Sequence, residues 1–276
     1  MTTGSDRELP SRAALRMASR VVVKLGTSVV ANSDGSPSLV RLGGVVEQIA
    51  ALKRSGKEVI LVSSGAVGMG RRLLRKQGRM TMSFNELHRD RSASVEDEKI
   101  REKSLRGSRI ENSSSFKCLL EATKQNETVN RKKHYDSACA AAGQLELMNF
   151  YNSLFYQCEI SASQILVTQA DFEDEVRLKN LTYSIERLLS VGIVPIINEN
   201  DAVSANMGYT KVDVFSDNDS LAALCARNFG AEVLLLMTDV DGVFDRPPSE
   251  EGSKLLSFFT KESDISIGEK SLQGKL

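Results

Sequence analysis

Four short apolar runs, each cut off by a polar or glycine-containing cluster, limit this 276-residue chain to very few architectures. Arg20-Val21-Val22-Val23-Lys24-Leu25 reads as a buried strand, and Glu58-Val59-Ile60-Leu61-Val62, Ile193-Val194-Pro195-Ile196-Ile197 and Glu232 to Met237 as further strands. Helical periods fill the gaps. From Ser38 to Ser55 the residues Leu39, Leu42, Val46, Ile49 and Leu52 recur at helical spacing, and Gly56 supplies a stop. From Asp174 to Ser190, Leu178, Leu181, Ile185 and Leu188 share one face, and Gly192 closes the helix. Further helices are expected from about Asp136 to Gln157, where Ala138, Ala140, Ala141 and Ala142 permit close packing, and from Ser220 to Phe229. Ile160 to Val167 alternates like a strand. Strand–helix–strand order requires parallel pairing through right-handed crossovers. The predicted class is α/β, a mainly parallel open sheet with helices on both faces. Pro195 lacks a ladder donor, which predicts an edge or a bulge in its strand.

The clusters that end these runs carry the chemistry. Asn198-Glu199-Asn200-Asp201 and Asp217-Asn218-Asp219 put seven acids and amides next to apolar runs. An open α/β sheet binds its ligands at the carboxyl ends of its strands, so this is a ligand site unless both clusters are plain solvated loops. Lys24 closes a buried run just before Gly26 and Thr27. It would bring a compact positive charge to the sheet edge, of the kind a transferring phosphoryl group needs, or it would simply snorkel from the strand end. Ser63-Ser64-Gly65-Ala66 sits at a helix start, where free N–H groups bind anions and where serine is also an ordinary cap. Thr238, Asp239 and Asp241 lie beside Gly242, and a β-turn would account for them as well. Taken together, the Lys24, Ser64–Ala66, Asn198–Asp201 and Asp217–Asp219 clusters fall at the carboxyl ends of parallel strands or at the adjacent helix starts, where they can converge on one crevice. They supply a lysine, anion-binding N–H groups and acids suited to an ammonium or to Mg²⁺. The set contains no histidine base and no activated serine or cysteine. A nucleophile that is already ionised needs none, and a carboxylate accepting phosphate is such a nucleophile.

Composition excludes other classes. Lys plus Arg and Asp plus Glu each number 36, so no net charge favours nucleic acid or an anionic membrane. No apolar run is long enough to span a bilayer. Residues 1–19 read as a flexible tail, without the apolar centre of a secretory signal. Cys118, Cys139, Cys158 and Cys225 are scattered, which fits a reducing, cytoplasmic setting better than zinc or disulfides. Cys139, Cys158 and Cys225 lie in periodic segments and are expected in the core. The two histidines, His88 and His134, stand in or near a long aperiodic stretch. From about 78 to 133 the sequence reads as a polar, disordered insertion, with twelve of the twenty-two residues from His88 to Arg109 charged.

Val21-Val22-Val23-Lys24-Leu25-Gly26-Thr27-Ser28, Leu61-Val62-Ser63-Ser64-Gly65-Ala66-Val67, Ile197-Asn198-Glu199-Asn200-Asp201-Ala202-Val203 and Asp217-Asn218-Asp219-Ser220-Leu221 resemble glutamate 5-kinases of the amino-acid kinase family. Within it they look most like the kinase portion of Δ1-pyrroline-5-carboxylate synthases. The resemblance covers about residues 20–77 and 136–270. It implies a three-layer sandwich and ATP-dependent phosphorylation of the glutamate γ-carboxylate, with Mg²⁺, as the first step of proline biosynthesis. It implies further that Lys24 touches the transferring phosphate and Asp219 orients that lysine. Ser64, Gly65, Asn198, Asp201 and Asn218 would line the glutamate site, with Asp201 toward the α-ammonium and Asp217 in support. Gly26, Thr27, Thr238 and Asp239 would meet the nucleotide, and no residue set is assigned to a metal. Proline as a feedback inhibitor and a homo-oligomeric state are further implications.

The long insertion departs from the family pattern, and so does the end of the chain. The pattern continues with a glycine-rich segment and a second phosphate-binding lysine after the region matched by Gly268-Glu269-Lys270-Ser271, whereas the sequence ends at Leu276. An incomplete nucleotide half is therefore expected in the domain spanning residues 20–276, with glutamate bound better than ATP is turned over. The alternative function is an inactive paralogue that binds glutamate or proline, or serves as an assembly partner.

Overall fold

The structure, a computed structural model, describes residues 15–80, 127–204, 218–246, 249–250 and 252–256. Its centre is a parallel five-stranded sheet of β1 (Arg20–Leu25), β2 (Glu58–Ser63), β3 (Ala162–Val167), β4 (Val194–Glu199) and β5 (Val233–Met237), in the order β3-β4-β2-β1-β5. A two-residue antiparallel pair, β6 (Val243–Phe244) with β7 (Leu255–Leu256), follows. The helices are α1 (Thr27–Val30), α2 (Leu39–Arg54), α3 (Ala66–Met80), α4 (Glu127–Gln157), α5 (Ala170–Glu173), α6 (Glu175–Ser190), α7 (Asp201–Ser204) and α8 (Asn218–Asn228).

Period-two alternation divides the strands between two cores. Val21, Val23 and Leu25 of β1, Val59 and Leu61 of β2, and Val194 and Ile196 of β4 pack with Leu42, Val46 and Ile49 of α2 and Leu147, Tyr151 and Phe155 of α4. The residues between them, Val22, Ile60, Val62 and Ile197, pack with Ile185 and Leu189 of α6 and Leu221, Cys225 and Phe229 at α8. The inner strands β4, β2 and β1 are thus covered on both faces, as their β-branched runs require, whereas Leu235, Leu236 and Met237 of β5 are exposed. The same alternation aims the polar strand ends. Lys24 shares the face of Val22, toward α8, whereas Ser63 and Asn198 share the face of Leu61 and Ile196, toward α4.

Asp174 caps α6 by accepting from the Arg177 N–H at 2.9 Å, which explains where that helix begins. Gly56 and Gly192 turn the chain out of α2 and α6 with φ of 84° and 81°. Three expectations need correction. β4 is an interior strand, not an edge. Val194 donates to Ser161 beside β3, so the nitrogen of Pro195 faces β2, whose pairing with β4 begins only at Leu61↔Ile196. The long helix begins at Glu127 rather than near Asp136, and α3 runs to Met80, so both enter the stretch read as disordered. Close packing of α4 depends on Gly143 more than on its alanines: Ala138 and Ala141 are exposed. A Cβ on Gly143 would lie 2.0 Å from the Ala66 carbonyl oxygen, and one on Gly70 would lie 1.7 Å from that of Cys139. The tail before residue 15 and residues 81–126 lie outside the described residues.

Candidate functional site

The carboxyl ends of β4, β2, β1 and β5 deliver four polar groups to one edge, in that spatial order. At β1, the buried Lys24 extends its Nζ to Asp219 Oδ1 at 2.7 Å. Asp219 occupies the first turn of α8, where the helix dipole favours a carboxylate. Gly26 follows, and its N–H donates to the Met237 carbonyl at the end of β5 at 3.1 Å. A Cβ there would stand 3.3 Å from that oxygen, so the close approach favours glycine. Thr27 begins the one-turn α1 with its side chain exposed.

At β2, the Ser64 N–H donates to the Leu25 carbonyl at 3.2 Å, tying this turn to the end of β1. Gly65 has φ of 106°, and a Cβ would meet Val30 Cγ1 at 2.9 Å, so both conformation and space require glycine. Asn218 reaches across from α8. Its Nδ2 donates to Ser64 Oγ at 2.7 Å and to the Ser63 carbonyl at 3.3 Å. Tyr151 supports the turn from the other face, with its hydroxyl 2.7 Å from Ser63 Oγ. The Ser63 proton goes to the Ser64 carbonyl, so the phenol is the donor. Burial pushes the Tyr151 phenol well above its ordinary range, so it remains protonated.

At β4, Asn198 is 2% exposed and joins the same network. Its Oδ1 accepts from the Glu199 N–H at 2.9 Å and, at 3.5 Å, from Asn218, while its Nδ2 donates to Gln144 Oε1 at 2.9 Å. Asp201 opens α7 beside a cavity of about 310 Å³ lined by Ala140, Gln144, Gln164, Glu199 and Asn200. Burial raises the Asp201 carboxyl above its ordinary value, and the nearby Asp136 charge adds to this. Arg71 holds Asp136 from α3, at 2.6 Å.

The structure therefore brings together Lys24, Asp219, Ser64, Gly65, Asn198 and Asn218, with Asp201 at the β4 end and Gly26 and Thr27 at the β1 end. Thr238 and Asp239 follow β5 directly; the Thr238 hydroxyl donates to Asp239 Oδ1 at 3.3 Å, and among the described residues neither side chain joins the network above. Asp217 lies outside the described residues. Two contributors escaped the sequence reading, Gln144 and Tyr151. Both lie on the buried stripe Ala140–Gln144–Leu147–Tyr151 of α4. A glutamine at helical spacing among apolar residues was the available signal. Cys139 and Cys225 are buried as expected and Cys158 is half-buried. Burial raises the Cys139 and Cys225 thiols, which argues against a nucleophilic role.

Residues 19–275 match the amino acid kinase family, a span that includes the polar insertion. The Δ1-pyrroline-5-carboxylate synthase 1 of Oryza sativa subsp. japonica is 38% identical over 271 residues, covering 96% of this chain and 32% of that protein. Synthase A of Arabidopsis thaliana is 37% identical over 270 residues, with the same two shares. The glutamate 5-kinase of Clostridium perfringens is 32% identical over 246 residues, covering 89% of this chain and 72% of that enzyme. The chain thus spans about a third of the length of the synthases it matches.

Proposed function

The chain belongs to the amino acid kinase family, and from that premise we propose that it transfers the γ-phosphoryl group of ATP to the γ-carboxylate of glutamate. The product is glutamyl 5-phosphate, the first intermediate of proline biosynthesis. One observation carries the reading: a buried lysine, locked on Asp219 at 2.7 Å, stands one strand away from the Ser64–Asn218 turn. A carboxylate oxygen attacks phosphorus, the bond from phosphorus to the bridging oxygen breaks, and ADP leaves. No proton moves, so no base is needed. Lys24 offsets charge on the equatorial oxygens, and Asp219 fixes its ammonium in place. Ser64, Gly65, Asn198 and Asn218 hold the acceptor, and Asp201 takes its ammonium, with Asp217 in support. Gly26, Thr27, Thr238 and Asp239 face the nucleotide. Mg²⁺ would be held mainly by the nucleotide's phosphates and would help to neutralise their charge, since it keeps several waters and takes few protein ligands. Among the described residues no three acids, histidines or cysteines converge on a metal position.

The proposal extends to proline as a competing ligand at the Asp201 end, to self-association and to a cytoplasmic setting. The free Cys139, Cys158 and Cys225 support that setting. Among the described residues no helix is long and apolar enough to cross a membrane. The test is ADP release with glutamate, aspartate and uridylate offered separately, with hydroxylamine present to trap an acyl phosphate. Glutamate-dependent release with hydroxamate formation is expected. Preference for aspartate or uridylate would overturn the reading.

A further inference from the structure

The chain of amides across the sheet edge has a fixed direction. Asn218 Nδ2 must be an amino group, because the Ser63 carbonyl 3.3 Å away can only accept. Asn198 Oδ1 must be a carbonyl, because the Glu199 N–H donates to it. The amino group of Asn198 is then left to donate to Gln144 Oε1, which puts the amino group of Gln144 at the end of the line. Two backbone groups thus fix which atom of each amide is nitrogen. Gln144 is 8% exposed, and its buried Nε2 has no hydrogen-bond partner among the described residues. A buried donor left unmade is one of the costlier defects a core can hold, and native folds keep few of them.

Gln144 lines the same cavity as Asp201. One offers a donor without an acceptor, and the other a carboxylate suited to a cation. Together they complement the two charges of an α-amino acid head group. We infer that Gln144 donates through Nε2 to the α-carboxylate of the amino-acid substrate, and so selects α-amino acids over simple amines of the same length. The inference rests on the acceptor-site reading above. Its scale is consistent: β4 stands two places from β1 in the sheet, about 10 Å at ordinary strand spacing. A short extended acceptor with its head at β4 therefore directs its far carboxylate toward Lys24.

The test is titration calorimetry on the full chain with glutamate, glutarate (no ammonium) and 4-aminobutyrate (no α-carboxylate). Gln144→Glu keeps an oxygen that accepts from Asn198 and replaces the donor with a carboxylate oxygen, which repels an α-carboxylate instead of donating to it. It is expected to weaken glutamate and glutarate at least tenfold while leaving 4-aminobutyrate within about twofold, since a hydrogen bond to a charged group is worth that much. Equal weakening of all three would show a merely structural glutamine, and unchanged glutamate affinity would show that Nε2 is met by water; either overturns the inference alone. Failure of the unsubstituted chain to bind glutamate overturns the acceptor-site reading together with it. Should Gln144→Glu not fold, Gln144→Met, which has similar length and no amide, is expected to give the same selective loss.

Discussion

Lys24→Met removes the ammonium and keeps the length of the side chain. Its partner Asp219 then remains 22% exposed with no cation at 2.7 Å. Breaking one side of a buried ion pair costs about 3–5 kcal/mol. The first turn of α8 offsets about 0.3–1 kcal/mol through the helix dipole, and partial solvent contact at Asp219 recovers a little more. A destabilisation of about 2–4 kcal/mol is therefore expected. Asp219→Asn leaves Lys24, 8% exposed, with an uncompensated charge and should fall in the same range. The double variant carries neither charge and should return to within about 1 kcal/mol of the parent, because a neutral replacement of a buried pair is often nearly free. The coupling between the two sites would then be at least about 3 kcal/mol. Urea unfolding followed by circular dichroism gives all four stabilities. Glutamate-dependent ADP release should fall on the order of 10²–10³-fold in all three variants, so the double variant regains its fold without its function. Additive effects, or single variants each within about 0.5 kcal/mol of the parent, would refute a buried and coupled pair. Near-parental turnover by Lys24→Met would remove this lysine from the chemistry.

Asp201→Asn should weaken glutamate binding by about 1–3 kcal/mol while leaving the unliganded chain as stable or more stable at neutral pH, by calorimetry and thermal melting. The sign follows from its raised carboxyl: the folded state holds that proton more tightly than the unfolded one, so Asp201 detracts from stability as pH rises through its folded value, and asparagine removes the loss. Gly70→Ala would force a Cβ to 1.7 Å from the Cys139 carbonyl oxygen and should cost about 1–3 kcal/mol or more in denaturant midpoint. A neutral result there would mean that α3 and α4 can separate freely. Tyr151→Phe should cost about 1 kcal/mol in urea unfolding and weaken glutamate binding in calorimetry through the Ser63–Ser64 turn.

The strands of the central sheet were legible because their β-branched runs are bounded by glycine and polar clusters, and α6 because Asp174 caps it and Gly192 releases it. The clustering of Lys24, Ser64, Asn198, Asn218 and Asp219 was legible from one rule, that parallel strands share a carboxyl edge. What the sequence hid were relations that depend on a partner. Pro195 looked like an edge residue because its missing donor costs nothing where β2 has not yet paired. The start of α4 at Glu127 carries charges without period, so no amphipathic signal marks it. Gln144 is one polar residue on a long helix, and only the direction of the amide chain makes it conspicuous.

Strand order also sets when the site can exist during folding. β1 pairs with β5 across Val21↔Val233, and Asn218 reaches Ser63 across 155 residues of chain. Contacts so distant in sequence close late, because the entropy of long loops must be met before they form. The acceptor groups would then be scattered in the transition state and assembled only beyond it. A ligand that grips them should lengthen the lifetime of the folded chain while leaving its folding rate nearly untouched.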